Sequence, residues 1–522
     1  MIRLTRSAIG SPSRTLATAL LVIALAAPGL ARLELRMDGH ALVPERDPAV
    51  VYDRTVREQF GVRDPLVVVV HAGHPDGIFN PATLRTVRDL TAELGRLPGI
   101  GPAGLVSLAT EQGFRFQPGT LRRSTFLDPV PDTPAAVAEL RSDLRRIGLY
   151  DGTLTSRDGQ STAILVGVPP EADRRELYET VRGLAARHAT PPDTTDVLGA
   201  PVAETLLGLH ILADLGVPRA WIGDAGGGER PWGPGLVPLA FTVMGLVFLA
   251  GFRRPAAALL PLFKVGACLM LVLGAMGWMG VPVYLTTAVM PVILTASGIA
   301  DEAHLFRRFG ELRRARPGLG SAGLASATLA DMTRPVTQTS LTTALGFFSF
   351  ALSPLPSVRA FGLFTAGGIL LCLLWSLTVT PAFLALLPPG WIVAGSWTGS
   401  AMPGEGLFRR LAVWTVRHRR VVLAATVLLA LGSLDGIRRV VVQDSWVDGF
   451  APDSAFARSM RRFDEQFQGA HRLLVTVETD ARRLTGAVDA SAVGDRRLVV
   501  PAPAGEPLDP AVLAGGAREI RC

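Results

Sequence analysis

One charged motif sits at the edge of an apolar run: Gly298-Ile-Ala-Asp301-Glu302-Ala-His304. A charged side chain at mid-bilayer costs about 2.5–3.5 kcal/mol on insertion scales, so such groups usually face protein or water and act in transport. Burial favours the neutral form of a carboxyl. A carboxyl so poised loads a proton from one side and releases it to the other. On a helix His304 follows Asp301 by three residues and shares its face, while Glu302 is turned by about 100°. The spacing therefore pairs Asp301 with His304 and points Glu302 at a neighbouring helix.

Lys264 is the sole lysine among 52 basic residues. It stands about ten residues into another apolar run, hence ~13–15 Å from that run's basic end. It either snorkels to the interface or finds a carboxylate, and Asp301 is within its reach. A further run opens with Thr337-Gln-Thr339-Ser340-Leu-Thr342-Thr343. Hydroxyls such as Thr339 and Thr343 either support a relay or bond to carbonyls of the preceding turn. A plainer alternative puts the acidic motif at a helix end, with Arg307 and Arg308 among headgroups and both acids hydrated. Asp301 lies only about 9 Å deeper than Arg307, so depth leaves both readings open.

Other motifs carry less. Gly318-Leu-Gly320-Ser-Ala-Gly323 fits a phosphate-binding spacing, but no strand precedes it, and it reads as a turn opening an interfacial helix. His71-Ala-Gly-His74 with Asp76 ends a strand in a ligand-poor region and reads as a turn. Cys268, Cys372 and Cys522 are too scattered for a disulfide framework or a zinc site. Walker A, G-x-S-x-G and H-E-x-x-H motifs are absent from the sequence, so neither ATP-driven nor hydrolytic chemistry is expected. The expectation is a non-enzyme without a cofactor.

The elements that must hold these groups follow from hydropathy. Of 522 residues 48% are apolar and 19% charged, against roughly 25% charged in soluble domains. Mean hydropathy is +0.34, which excludes a disordered chain. A span needs about 20 mostly apolar residues. Runs at 235–252, 255–279, 281–300, 335–358 and 360–387 qualify, and 15–31 and 421–434 are marginal, giving seven expected spans.

Arginines cluster before the first run, at 253–254, over 307–334 and over 409–420, whereas 280–282 and 353–359 hold only Arg359. The basic excess of +7 is thus a topology signal rather than a nucleic-acid footprint. It predicts a cytoplasmic N-terminus, with 33–233 and 438–522 outside.

The first run also fits a signal peptide, but an internal repeat argues that it is a span. RTVREQFGVRDPLVVVV at 54–70 matches RRFDEQFQGAHRLLVTV at 461–477, each following a marginal span and each running into a β-branched strand. One helix, a large outer domain and five helices are followed by a restart that stops in its own outer domain. The expected order is 1–32 with the first span, 33–233 outer domain, 234–390 bundle, 391–420 linker, 421–437 seventh span and 438–522 incomplete second outer domain. Within the first outer domain, strands at 66–71, 161–168 and 196–199 and helices at 80–97 and 171–188 suggest a ferredoxin-like α+β layout. Residues 100–108 read as strand or loop, and 118–158 as connecting structure.

Together these pieces resemble resistance-nodulation-division (RND) transporters, in the branch of MMPL-type and predicted exporters related to sterol-sensing-domain proteins. The resemblance rests on Arg253-Arg254-Pro, Gly280-Val-Pro-Val, Gly298-Ile-Ala-Asp301-x-x-His304 and Arg308-Phe309. Arg334-Pro335-Val336, Ala344-Leu-Gly346-Phe347-Phe348, Phe361-Gly362-Leu and Thr380-Pro381-Ala382 complete it, across most of residues 1–480. It implies a polytopic bacterial inner-membrane exporter with a periplasmic porter domain, driven by the proton gradient and handling lipids or other hydrophobic cargo. It also implies that Asp301 translocates protons. Glu302 departs from the family's Asp-Tyr and loosely resembles its Asp-Asp. Family members carry twelve spans, so a homo-oligomer or a separate second half is the expected partner, besides membrane lipid. A non-pumping lipid or sterol sensor and an inactive fragment are the alternatives.

Overall fold

Proline opens many of the helices, because its missing N–H is one that a first helical turn leaves unpaired anyway. In the computed structural model Pro12, Pro48, Pro81, Pro134, Pro255 and Pro356 each stand at the first position of a helix. The structure describes residues 2–37, 43–44, 46–60, 63–101, 104–117, 120–169, 171–218, 235–393, 405–440, 449–467 and 469. The chain begins with α1 (Ile2–Gly10), α2 (Pro12–Leu30), β1 (Leu35–Arg36) and α3 (Pro48–Phe60). The outer domain follows as β2 (Pro65–His71), α4 (Pro81–Leu94), β3 (Leu105–Val106), β4 (Gln112–Gln117), β5 (Thr120–Thr125) and α5 (Pro134–Ile147). It continues through β6 (Ser161–Gly167), α6 (Arg174–His188), β7 (Thr194–Leu198) and α7 (Ala200–Asp214). The bundle consists of α8 (Leu236–Phe252), α9 (Pro255–Trp278), β8 (Val283–Tyr284), α10 (Met290–Ala315), α11 (Ser321–Phe348), α12 (Pro356–Leu386) and the short α13 (Pro389–Ile392). Last come α14 (Glu405–Arg417), α15 (Arg419–Arg438) and α16 (Ala455–Gln466).

Four of these helices, α2, α9, α12 and α15, are long and apolar enough to cross a membrane, and α8 is a shorter apolar helix of 17 residues. Two expected spans are shifted. The apolar run predicts the fourth at 281–300, but β8 and a 3-10 turn at Thr287–Val289 occupy its first part, and helix α10 starts only at Met290. Gly280 at φ +64 breaks the chain direction, and Pro291 lies in the first turn of the new helix. The fifth was placed at 335–358, yet α11 opens fourteen residues earlier, at Ser321, and ends at Phe348.

The stretch 307–334 is consequently the ends of two helices joined by a short turn at 316–320, rather than a long loop. Ion pairs hold those ends in helical form: Arg307–Glu311 at 3.2 Å, Arg308–Glu311 at 2.9 Å, and Arg308–Asp331 at 2.7 Å from one helix to the other. Apolar counting stops where charges begin, whereas a helix continues while its backbone bonds and i,i+4 pairs are satisfied. The glycine-rich turn before Ser321 opens α11 itself rather than a separate interfacial helix.

Close contacts between helices use small residues, as in membranes generally. A Cβ on Gly29 of α2 would overlap the Gly274 carbonyl of α9, and one on Gly277 would overlap the Gly29 carbonyl. Beyond α2, β1 pairs in parallel with β8, Leu35 opposite Val283 and Arg36 opposite Tyr284.

The outer domain has a four-stranded antiparallel sheet of order β3-β6-β2-β7. Leu66, Val68, Val70, Ile164 and Val166 are buried, as are Leu84, Val87, Leu90 and Leu94 of α4 and Val181 and Leu184 of α6. They form one core. Helix starts are capped in turn: Asn80 accepts from the Thr83 amide, and Asp173 from those of Arg175 and Glu176. Residues 118–158, expected to be connecting structure, include β5 of a hairpin with β4, and α5. Thr133 caps α5 and Gly148, at φ +66, ends it, start and stop signals that the charge-rich composition obscured.

Helix α16 carries the repeated Glu465-Gln466. It buries Phe456, Ala457 and Met460 in the core of the first outer domain, together with Phe450 and Phe467. The Arg157 amide donates to the Gln466 carbonyl at 3.0 Å and Ser161 Oγ donates to Gln466 Oε1 at 3.0 Å. The strand expected after Phe467, Cys522 and residues 394–404 of the expected linker lie outside the described residues.

Candidate functional site

Four helices converge on one polar cluster inside the bundle. Helix α9 contributes Lys264, which is fully buried. Its Nζ lies 3.0 Å from Glu302 Oε1 of α10, and donates to the Gly298 carbonyl at 2.9 Å and to Ser376 Oγ of α12 at 2.5 Å. Ser376 and Thr380, one turn apart on α12, both donate to Glu302 Oε1, at 3.2 and 2.9 Å. Asp301 is turned toward α11, where Ser340 Oγ donates to Asp301 Oδ2 at 3.1 Å.

Helical geometry explains the division. Gly298 and Glu302 are four residues apart and share the face that α9 crosses. With no side chain at Gly298 the helices approach closely: a Cβ there would lie 3.1 Å from both Cys372 Sγ and Val265 Cγ2. Asp301, one residue before Glu302, is rotated away toward α11.

Several expectations change at this point. Lys264 neither snorkels nor pairs with Asp301; its carboxylate is Glu302. His304 is exposed, whereas the Asp301 carboxyl is buried and turned to Ser340 of α11, so the expected Asp301–His304 pair is not what the helix presents. Thr339 and Thr343 are exposed, and their hydroxyls bond to carbonyls of their own helix, Thr339 to Pro335 and Val336 and Thr343 to Thr339. The hydroxyl of this stretch that reaches an acid is that of their neighbour Ser340, which donates to Asp301.

Ser376 and Thr380 were missed because single hydroxyls in a long apolar run usually serve their own backbone. Their i,i+4 spacing was the available signal. The solvated helix-end alternative fails on burial, since Asp301 is 6% exposed and Glu302 1%.

One cation and two carboxyls make the cluster net negative by one when both acids are ionised. Removing one partner of such a buried pair is strongly destabilising, because an uncompensated charge remains. The thiols of Cys268 and Cys372 lie beside it, buried and free. Among the described residues no group of three or more His, Cys, Asp and Glu is placed to hold a metal ion.

Residues 241–386 match the family model described as Patched SSD. The matched range runs from α8 to the end of α12 and contains every member of the cluster. This is a membrane protein whose bundle is similar to a sterol-sensing domain. The chain is also 29% identical over 141 residues to "Putative membrane protein MJ1562" of Methanocaldococcus jannaschii. That likeness covers 27% of this chain and 36% of the relative, so the chain spans about a third of the length of the curated relative it matches.

A second feature lies at the base of the outer domain. A cavity of about 560 Å³ is bounded by Leu35 and Met37 after α2, by Leu209 and Leu212 of α7, and by the Arg174–Glu204 ion pair.

Proposed function

We propose that this protein is a proton-driven exporter of the RND type, in the MMPL and predicted-exporter branch, moving lipids or other hydrophobic or amphiphilic molecules. The observation that carries this reading is the Lys264–Glu302–Asp301 cluster, buried between four helices. Ionisable groups within a membrane bundle are expensive to place, and the usual return is movement of an ion or proton. The Patched SSD likeness of the same segment supports a lipid or sterol cargo.

The antiparallel strand order of the outer domain, with helices between its first and last strand pairs, supports a ferredoxin-like porter domain. The cavity of the outer domain sets apolar residues, Leu35, Met37, Leu209 and Leu212, against charged ones, Arg36, Asp173, Arg174, Arg175 and Glu204, a lining that suits an amphiphile with an apolar tail and a polar head. Arginine asymmetry supports a cytoplasmic N-terminus and an extracytoplasmic outer domain in a bacterial inner membrane. Energy comes from the gradient, about 2.3 kcal/mol per charge per 100 mV, without ATP or a cofactor. A proton that changes the charge of the cluster biases the rocking of one helical repeat against another.

Reconstitution into vesicles holding a pH-sensitive dye tests the reading. An imposed pH gradient drives protein-dependent proton entry, and Asp301→Asn reduces it at least tenfold. Entry that is equal with Asn at 301, or absent from the parent protein, defeats the pump. The Patched SSD match also favours a second reading, a lipid- or sterol-sensing regulator. That protein binds a photoactivatable sterol or phospholipid yet passes no protons.

A further inference from the structure

Helices α9 and α12 cross antiparallel, and their contacts advance in steps of four residues, about one turn of each helix. At one layer Lys264 Nζ meets Ser376 Oγ at 2.5 Å. Two turns on along α9 and two turns back along α12, a Cβ on Gly368 would lie 3.2 Å from Val272 Cγ2. The layer between these two sets Cys268 opposite Cys372, residues 104 apart in the sequence. Both cysteines are free thiols, 0% and 1% exposed, and they share one apolar cluster with Ala267, Trp375 and Val379. The two sulfhydryls are hydrogen-bonding partners, and the charge of Lys264 acts on each. Gly298 of α10 leaves room beside them: a Cβ there would lie 3.1 Å from Cys372 Sγ.

Two facing thiols can hold a soft metal ion or become a disulfide. A metal held by two thiolates brings charge into an apolar layer, and Lys264, the cation of the next layer, already faces Glu302 at 3.0 Å. A disulfide is neutral and apolar, so its burial carries no such cost. We propose that Cys268 and Cys372 are a redox modification site, at which a peroxide converts the pair to a disulfide that ties α9 to α12 one turn from the charged cluster. In the first step one sulfur attacks a peroxide oxygen, the O–O bond breaks, and a sulfenic acid and one water result. The second sulfur then attacks the sulfenic sulfur; the S–S bond forms, and the S–O bond breaks to release a second water. The two thiols lose two electrons and hydrogen peroxide gains them. A dithiol reductant returns both thiols. The link fixes the crossing through which Lys264 reaches Ser376, and it is independent of whether the bundle moves protons.

Peptide mapping of the full chain in phospholipid nanodiscs tests the site. The protein is exposed to hydrogen peroxide, denatured, alkylated and digested for mass spectrometry. The expected product is one linked pair of peptides holding Cys268 and Cys372, with Cys522 alkylated, and dithiothreitol before alkylation restores the two separate peptides. The link forms at least about tenfold faster in nanodiscs than in chain denatured in SDS, because the crossing holds the sulfurs together. The oxidised protein also unfolds at a higher temperature than the reduced one, and Cys372→Ser loses both the link and that shift. The mapping needs no variant, so it decides the matter even where Cys372→Ser fails to fold. Alkylation of both cysteines after peroxide, sulfinic acid at either one in place of the link, or a link formed as fast in the denatured chain overturns the proposal.

Discussion

Lys264 supplies the cation of the buried cluster and bonds to two helices besides its own. With Met in its place the Glu302 carboxylate is left buried without its cation, a loss of about 3–5 kcal/mol. The double change Lys264→Met with Glu302→Gln recovers most of it, because the charge and its countercharge are removed together. Thermal unfolding of the detergent-solubilised variants measures both. Thr380→Val keeps the side-chain volume and removes one of the bonds to Glu302 Oε1, a smaller cost of about 1 kcal/mol. At this scale the sequence already showed that acids and a lysine lie in apolar runs. Which acid meets the lysine was not legible: Asp301 and Glu302 differ by one step of about 100° around the helix, and only the crossing of α9 over Gly298 chooses between them.

Among elements, the α2–α9 crossing and the seat of α16 make separate predictions. Gly274→Leu places a side chain against the Ala26 carbonyl of α2; an overpacked contact of this kind costs about 1–3 kcal/mol. Cysteines introduced on the facing sides of α2 and α9 then cross-link more slowly.

Helix α16 rests on the edge strand of the outer sheet. His71 Nε2 lies 3.1 Å from Asp196 Oδ2, and its Nδ1 2.7 Å from Ser161 Oγ, which bonds onward to Gln466. Burial pushes the Asp196 carboxyl up, but hydrogen bonds from His71 and Ser459 and the charges of His71 and Arg462 outweigh it and hold the group below its ordinary value. A carboxyl lowered by folding stabilises fully above its unfolded pKa and loses that contribution as pH falls through the lowered value. Hydrogen-exchange protection of 455–466 is therefore expected to drop on acidification within the carboxylate range. In Asp196→Asn it is expected to be weaker at neutral pH and flatter with pH. The motif at 71–76, read from sequence as a turn after a strand, does end β2, but its first histidine serves this seat.

For the molecule as a whole, the repeat has a structural consequence. Residues 461–466 restart the pattern of 54–59, yet α16 packs into the domain that precedes the bundle, so the segments before and after the bundle are tied together through the core of the outer domain. Cutting the chain between α15 and α16 with an inserted protease site is expected to leave the two pieces associated on size-exclusion chromatography, whereas charged residues at Phe456 and Met460 release them. The cargo path proposed through the outer domain belongs to the same scale. Filling the cavity with Gly208→Trp is expected to lower transfer of a fluorescent phospholipid between vesicle populations.

Composition and hydropathy alone established a polytopic membrane protein with an α+β segment between its first and second apolar runs, because burial of apolar area is readable residue by residue. Strand and helix positions at 66–71, 80–97, 161–168 and 171–188 were legible for the same reason, each having one clear period. The extents of α10 and α11 were not, since their charged ends are held by ion pairs that no window of hydropathy records. Nor was the cluster itself. Lys264, Glu302, Ser376 and Thr380 come from three helices separated by up to 116 residues in sequence, and their meeting is fixed by helix crossing and by a glycine that lets two backbones approach.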